Sequence, residues 1–468
     1  MHDRVNRLIG TVVRQIWMGT FHAACVRMLR EHGDEIGLDP YFVIFDREMQ
    51  DGLIAECMRD MEISPAKTPI WFVRDVISAQ KSMMKPLDRI EFVRTREGEI
   101  IDDPDLIGEL RELILEYQRR LESYRALDFD DILLHGVRLL RESEEAREEY
   151  RSRISHILVD EFQDINLAQY ELLRLLAGEG GNVTAVADED QSIYSWRGSS
   201  PRFIDSFIEE FDPEIVELRE NYRSTSLLLQ AAQEVIKHND RRRKTELFTR
   251  NPVGRRPIHY VVETVEEEMK LVAGLLRRLL SEARYSPGDI AIFYRRHRLA
   301  DELEEELTRR GFKLNRVRRE PIPSETLLGK LISLLRFINW GLEVDLERAL
   351  NLTGEVVGGL ALAKLRRRAR LERVDLVSLL RRAGDILGPV SRRGIEGFLG
   401  MVEEVSRSAP DRRAASVGIE LFKRLEHMRS PFDPREIGLI SEEIDRLSTY
   451  ADLLRGAIER GGPVEVIR

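Results

Sequence analysis

Residues 157–164 read ILVDEFQD, an apolar run that opens directly into acids and an amide. In open α/β sheets, ligands bind beyond the carboxyl ends of the strands. A carboxylate fixed there can hold Mg²⁺, with waters and phosphate oxygens as the other ligands. A second carboxylate beside it can orient or deprotonate an attacking water. Asp160 suits the first role and Glu161 the second. A bare Asp-Glu pair is more often a solvated turn, but this polar cluster after this apolar run favours the chemical reading. Residues 183–188 (VTAVAD) form a second apolar run ending in acid, followed by EDQSIYSWRGS. The Gln191 amide can hydrogen-bond a terminal phosphate. Tyr194 and Trp196, with Arg197 next to the indole, can stack on unpaired bases at about 1–3 kcal/mol each. A core position is the commoner fate of an aromatic and stays open for both rings. In ENYRS, residues 220–224, Arg223 can neutralise charge on a transferring phosphoryl group and Tyr222 can stack on a nucleobase. The plainer alternative is an exposed arginine at a helix start.

The elements that must carry these groups follow from periodicity. Residues 20–31 pattern as an amphipathic helix, and residues 38–124 as mostly helix with breaks at Pro40, Pro65, Pro69, Pro86 and Pro104. From Asp128 onward the pattern alternates. Strands are expected at 154–160, 183–188, 215–218, 257–262, 289–294 and 312–317. Helices are expected between them at 166–177, 201–211, 225–239, 265–283 and 299–310. Such alternation predicts parallel sheets covered by helices, an α/β class. Beyond about residue 324 the strand signal stops and helix pattern returns.

Composition bounds the function classes. The chain has 468 residues, room for two to four domains. With 73 basic and 83 acidic side chains its formal charge is −10, which excludes a uniformly basic nucleic-acid coat but not a local basic groove. The clusters at 241–244 (RRRK), 255–256, 316–319 and 366–370 can track phosphates, although a charge run is more often a solvated face. Two cysteines, Cys25 and Cys57, exclude a disulfide scaffold and a cysteine-rich metal site. They fit a reducing cytoplasm. No apolar signal core opens the chain and no window is apolar enough to span a membrane.

DEFQD, DEDQSIYSWRGS and ENYRST, in this order and at this spacing, resemble the superfamily 1 UvrD/Rep/PcrA-type DNA helicases. Thr20, Phe21, His22 and the DFDD segment at 128–131 match family segments too. The resemblance is strong over residues 16–58 and 124–250, weaker to about 317 and loose after that. It implies ATP and Mg²⁺ as cofactors, with Asp160 on the metal, Glu161 as catalytic base and Gln191 as sensor of the γ-phosphate. Arg223 would be one of two arginine fingers and Tyr222 would stack on adenine. Trp196 and Tyr194 would stack on single-stranded DNA, with Arg197, Phe21 and His22 along its path. The implied activity is 3′–5′ translocation and unwinding at single-stranded DNA and single-strand/duplex junctions. The implied architecture is two RecA-like domains that close on ATP, each with a helical insertion. That places the first core at 1–37 and 125–209, its insertion at 38–124, the second core at 210–318 and the second insertion at 319–468.

The family's phosphate-binding loop, G-x-x-x-x-G-K-[ST], does not occur. The single Gly-Lys pair, Gly329 and Lys330, is followed by Leu331 and has Ser324 in place of the first glycine. The family's closing segments with the second arginine finger are not found either, and RVRRE at 316–320 replaces its Gly-Gly-x-x-[FY] segment. Both cores are therefore expected to be incomplete and the chain by itself deficient in ATP turnover. Three readings are open: a fragment of a longer or split helicase, a non-catalytic DNA-binding or regulatory relative, and a half-enzyme completed by a second chain carrying the loop. The intact acids and Arg223 favour the first.

Overall fold

The computed structural model describes residues 16–315, apart from residue 41 and residues 95–98, 195–197, 240–245, 283–284 and 296. Beyond these it describes helical segments between 333 and 408 and isolated positions near the N-terminus. The chain divides into two units, Met1–Ile215 with Ser324–Arg468, and Val216–Pro323.

In the first unit, helix α1 (Phe21–His32) starts at Thr20, whose hydroxyl accepts the Ala23 N–H at 3.2 Å. Strand β1 (Val43–Ile44) leads into α2 (Arg47–Asp60) and α3 (Ile70–Ser82). A small antiparallel pair, β2 (Val93–Arg94) with β3 (Ile100–Ile101), precedes α4 (Pro104–Ser123). Pro104 occupies the first turn, which needs no N–H from it. Strand β4 (Ala126–Leu127) then pairs parallel with β1 and runs into α5 (Phe129–Glu142) and α6 (Glu144–Arg153). Helices α2, α3 and α4 fall within the helix-patterned stretch 38–124, with Pro65 and Pro69 between α2 and α3, Pro86 between α3 and α4, Pro40 ahead of β1 and Pro104 in the first turn of α4.

Helices α2, α3 and α4 share one apolar core containing Leu53, Ile77, Leu113 and Tyr117. A second core gathers α1, α5 and α6 around Cys25, Met28, Leu133, Val137 and Tyr150. There α1 and α5 approach closely at Gly136, where a Cβ would fall 2.5 Å from the Cys25 sulfur. Cys25 is core, as its place on the apolar face predicts, and burial pushes its thiol up to about 12.

A buried ionic knot ties the helical block to α5. Asp128 is the N-cap of α5 and forms a capping box with Asp131. The Lys81 ammonium, at the end of α3, lies 2.7 Å from Asp128 Oδ2 and 2.7 Å from Asp131 Oδ1. The Tyr117 hydroxyl of α4 donates to Asp128 Oδ2 at 2.9 Å and the Gln50 amide of α2 reaches the same oxygen at 3.4 Å. Burial alone would lower the lysine's pKa; the two carboxylates outweigh it and hold Lys81 above its ordinary value. Burial is also the main influence on Asp131, pushed up to about 6 despite Lys81, and on Asp130, pushed up to about 7 with the Asp128 charge adding to it.

An acid whose folded pKa is raised binds more protons folded than unfolded between its two pKa values. The Asp130 contribution therefore reduces stability as pH rises from about 4 to about 7. Asp130→Asn is expected to stabilise the first unit by about 1–2 kcal/mol at pH 8 and to change nothing at pH 4. The effect is modest because the Asp130 side chain retains partial solvent access, which screens its neighbours' charges. Urea unfolding of both proteins at the two pH values checks it; a variant equally stabilised at both would contradict the assignment.

Strand β5 (Ile157–Val159), helix α7 (Leu167–Ala177), strand β6 (Val183–Ala185) and helix α8 (Arg202–Phe211) complete this part of the unit. β5 and β6 pair parallel, Ile157 opposite Val183 and Val159 opposite Ala185. Both strands are shorter than their apolar runs. Phe162, Tyr170, Ile204 and Phe207 pack against them as a third core. Further helices α9 (Ser226–Ile236), α10 (Val265–Ser281) and α11 (His297–Arg309) lie in the second unit, and α12 (Gly359–Glu372) and α13 (Pro389–Ser408) in the first.

The second unit departs from expectation. The strands expected at 215–218, 257–262, 289–294 and 312–317 form no ladder among the described residues, and residues 316 and 317 lie outside them. One isolated bridge, Glu220 with Phe248, is the sole pairing described there. The reason is lateral: a strand is stable only when a neighbour in register accepts its backbone groups. Here Val216, Leu218, Ile258, Val261 and Phe293 remain exposed. Helices α10 and α11 do pack together, through Ala273, Leu276 and Leu307, with Ile290 and Phe312 against them.

Candidate nucleotide and DNA site

Because β5 and β6 run parallel and in register, their carboxyl ends open on the same side. Val186 N–H donates to Val159 O at 2.8 Å and Phe162 N–H to Val186 O at 2.9 Å, which carries the pairing past both strand ends. Asp160 and Glu161 therefore emerge beside the loop that begins at Asp188. Both acids are exposed. Asp160 Oδ1 accepts the Glu161 N–H at 3.1 Å. Glu161 adopts a left-handed backbone, φ 53° and ψ 44°, unusual for a residue with a Cβ. A short 3-10 turn, Phe162–Asp164, follows and buries Phe162 and Gln163.

Gln163 joins the two strand ends. Its Nε2 donates to Glu161 Oε2 at 2.7 Å and its Oε1 accepts the Asp188 N–H at 3.0 Å. Asp188 caps the next 3-10 turn, Glu189–Gln191, accepting from Asp190 N–H at 3.1 Å and from Gln191 Nε2 at 2.6 Å. Asp164, on the same turn as Gln163, has its carboxyl raised by burial and then by the Glu161 charge. Among the described residues, no group of three or more His, Cys, Asp or Glu side chains is placed to hold a metal ion by itself. A Mg²⁺ here would rest on one or two carboxylates plus substrate phosphates, the usual arrangement for that ion. The exposed Asp160 fits that donor set.

The stacking residues are only partly described. Tyr194 is 38% exposed. Trp196 and Arg197 lie outside the described residues. Phe21 is half-buried and packs against both the α1–α5 core and the core around β5 and β6. His22 sits edge-on to Phe129, ring centroids 5.8 Å apart.

In the second unit, the Asn221 side chain accepts the N–H groups of Arg223 at 3.0 Å and Ser224 at 2.8 Å, an Asx turn that starts α9. Thr249 and Asn251 side chains bond to Ser224 O and fasten the turn from behind. Gly254, at φ +76°, lets the chain pass there, since a Cβ would fall 2.3 Å from Thr225 Oγ1. Tyr222 is 79% exposed, its hydroxyl donating to Glu220 at 3.0 Å. Arg223 is exposed, and among the described residues its guanidinium has no carboxylate partner. Of the arginine clusters, residues 241–244 and 316–319 lie outside the described residues, Arg255 and Arg256 are exposed, and Arg368 of α12 pairs with Glu372.

Two groups were not singled out from sequence. Gln163 stands inside DEFQD, where an amide two residues after an acid is a legible sign of a hydrogen-bonded partner. Lys81 carried no such sign, because its partners lie 47 and 50 positions away in the chain.

Comparison with known proteins places these features in a family. Residues 1–212 match the UvrD/REP helicase N-terminal domain, and residues 216–382 match the UvrD-like helicase C-terminal domain. The ATP-dependent DNA helicase PcrA of Staphylococcus epidermidis is 29% identical over 458 residues, 97% of this chain and 58% of that protein. PcrA of Staphylococcus aureus is 31% identical over 459 residues, again 97% of this chain and 58% of the relative. The chain thus spans a little over half the length of the curated relatives it matches. With the N-terminal and C-terminal domains of one family following each other along its sequence, the chain belongs to the UvrD/Rep helicases.

Proposed function

We propose that this chain carries the water-activating and DNA-contacting machinery of an ATP-dependent DNA helicase that moves 3′–5′ on single-stranded DNA. The observation that carries the reading is the parallel β5–β6 pair. It brings Asp160, Glu161 and Gln191 to one edge, joined through Gln163 and Asp188. Two RecA-like cores, at 1–37 with 125–209 and at 210–318, and helical insertions at 38–124 and 319–468 are the architecture that fits this reading.

Glu161 is the proton acceptor for water attacking the terminal phosphorus. Asp160 is the carboxylate for Mg²⁺, which supplies charge neutralisation on the phosphates when bound. Gln191 hydrogen-bonds the γ-phosphate. Arg223 offers an exposed cation to the charge that develops on the transferring group. Tyr222 supplies an exposed ring for the adenine. Trp196, Tyr194 and Arg197 hold unpaired bases, with Phe21 and His22 along the strand, and single-strand/duplex junctions are the natural substrate. A second chain bearing a phosphate-binding loop is the partner that would complete the nucleotide site. On this reading the protein works on DNA in the cytoplasm; no helix among the described residues is long and apolar enough to cross a membrane.

The direct test is binding of labelled single-stranded DNA, read by fluorescence anisotropy. Trp196→Ala is expected to weaken it by about 1–3 kcal/mol, roughly 5- to 150-fold, across unrelated sequences. Trp196→Phe should recover part of the loss. A melting temperature that stays within a few degrees of the parent separates this from loss of a core ring, which costs about 3–5 kcal/mol. If the alanine variant unfolds while its folded fraction binds normally, the ring belongs to the core.

A further inference from the structure

Glu161 is exposed and sits in a left-handed backbone conformation, yet its carboxylate has a defined direction. The group that gives it this direction is Gln163, whose side chain is 1% exposed. We propose that Gln163 is a positioning residue that couples the Glu161 carboxylate to the loop carrying Gln191. The inference rests on the proposed role of Glu161 as base and Gln191 as phosphate sensor.

The orientation of the amide follows from chemistry. A carboxylate only accepts, so the group facing Glu161 Oε2 must be the NH₂. A backbone N–H only donates, so the group facing Asp188 must be the carbonyl. One rigid, planar, buried amide therefore has both ends committed, at 2.7 Å and 3.0 Å. The Gln163 backbone carbonyl also accepts the Ser192 hydroxyl at 3.4 Å, just beyond Gln191. Asp188 in turn holds Gln191 Nε2 on its own carboxylate at 2.6 Å. A movement of the Gln191 loop thus reaches the Glu161 carboxylate through the Gln163 side chain. Asp164, on the same turn, also reaches this loop by accepting the Ile193 N–H, but among the described residues it is Gln163 whose side chain hydrogen-bonds both the Glu161 carboxylate and the Asp188 amide. A hydrocarbon at this position would fill the space but free both ends, and a carboxylate would set like charge against Glu161.

The test is hydrogen–deuterium exchange at the Asp188 amide in the full 468-residue chain, without nucleotide or DNA. Gln163→Leu is expected to speed this exchange at least about tenfold, since it removes the acceptor. Glu161→Ala touches Asp188 nowhere, yet it is expected to speed the same exchange severalfold, because the amide loses its anchor at the other end. Glu161→Gln, whose side-chain carbonyl still accepts from Gln163, should restore slow exchange. The double variant Gln163→Leu with Glu161→Ala should exchange no faster than Gln163→Leu alone, the non-additivity of residues acting through one link. Amides of α7 serve as the control for intact fold. Should Gln163→Leu fail to fold, the two exposed-site variants at Glu161 still decide. Unchanged Asp188 exchange in Glu161→Ala, or equal acceleration in Glu161→Ala and Glu161→Gln, overturns the coupling. Because no turnover is measured, failure of the protein to hydrolyse ATP once the phosphate-binding loop is supplied would defeat the functional reading and leave this result standing.

Discussion

Lys81→Met is expected to destabilise the first unit by about 3–5 kcal/mol, the cost of leaving a buried ion pair without one partner. The methionine fills the volume of the lysine stem, so little cavity is made. What is lost is the charge that neutralises Asp128 and Asp131, both essentially inaccessible to solvent. Asp128 also caps α5 and accepts from Tyr117 of α4 and Gln50 of α2, so the loss reaches three helices. For a unit of this size the loss corresponds to a fall in melting temperature on the order of 10 °C. Denaturant unfolding is the measurement. The combined variant Lys81→Met, Asp128→Asn, Asp131→Asn should regain much of the stability, because neutral groups no longer need the ammonium. A single variant within 1 kcal/mol of the parent, against the 3–5 expected, would show that the knot contributes nothing of consequence.

The second large effect concerns turnover. A polypeptide of these 468 residues contains no phosphate-binding loop and is expected to hydrolyse ATP at background, with or without DNA. Once that loop is supplied, on the same chain or a second one, Glu161→Gln is expected to lower DNA-stimulated turnover by about 10²–10⁴-fold. Nucleotide affinity should change little. The substitution keeps the side-chain volume and an oxygen that can accept from Gln163, so the local geometry survives. It removes only the group able to take a proton from water. Steady-state hydrolysis with a parallel nucleotide titration checks both halves. Full turnover in the variant at saturating ATP would remove Glu161 from the role of base.

The sequence by itself determined the order of helices and marked the groups proposed as reactive. Thr20, Asp128, Asn166 and Thr264 announce helix starts because their side chains can accept the first free N–H groups, and each does. Asp160, Glu161 and Gln191 were legible because acids and amides directly after apolar runs have few structural reasons to be there. Tertiary structure decided three other matters. It chose where β5 and β6 end, since ladder bonds require a neighbour in register and apolar periodicity alone does not provide one. It left the apolar segments of the second unit unpaired for the same reason. It also brought Lys81 to Asp128 and Asp131, and Gln163 to Asp188. Those contacts are satisfied across tens of residues, and a buried charge or amide finds its partner only when the helices and strands that carry both have packed.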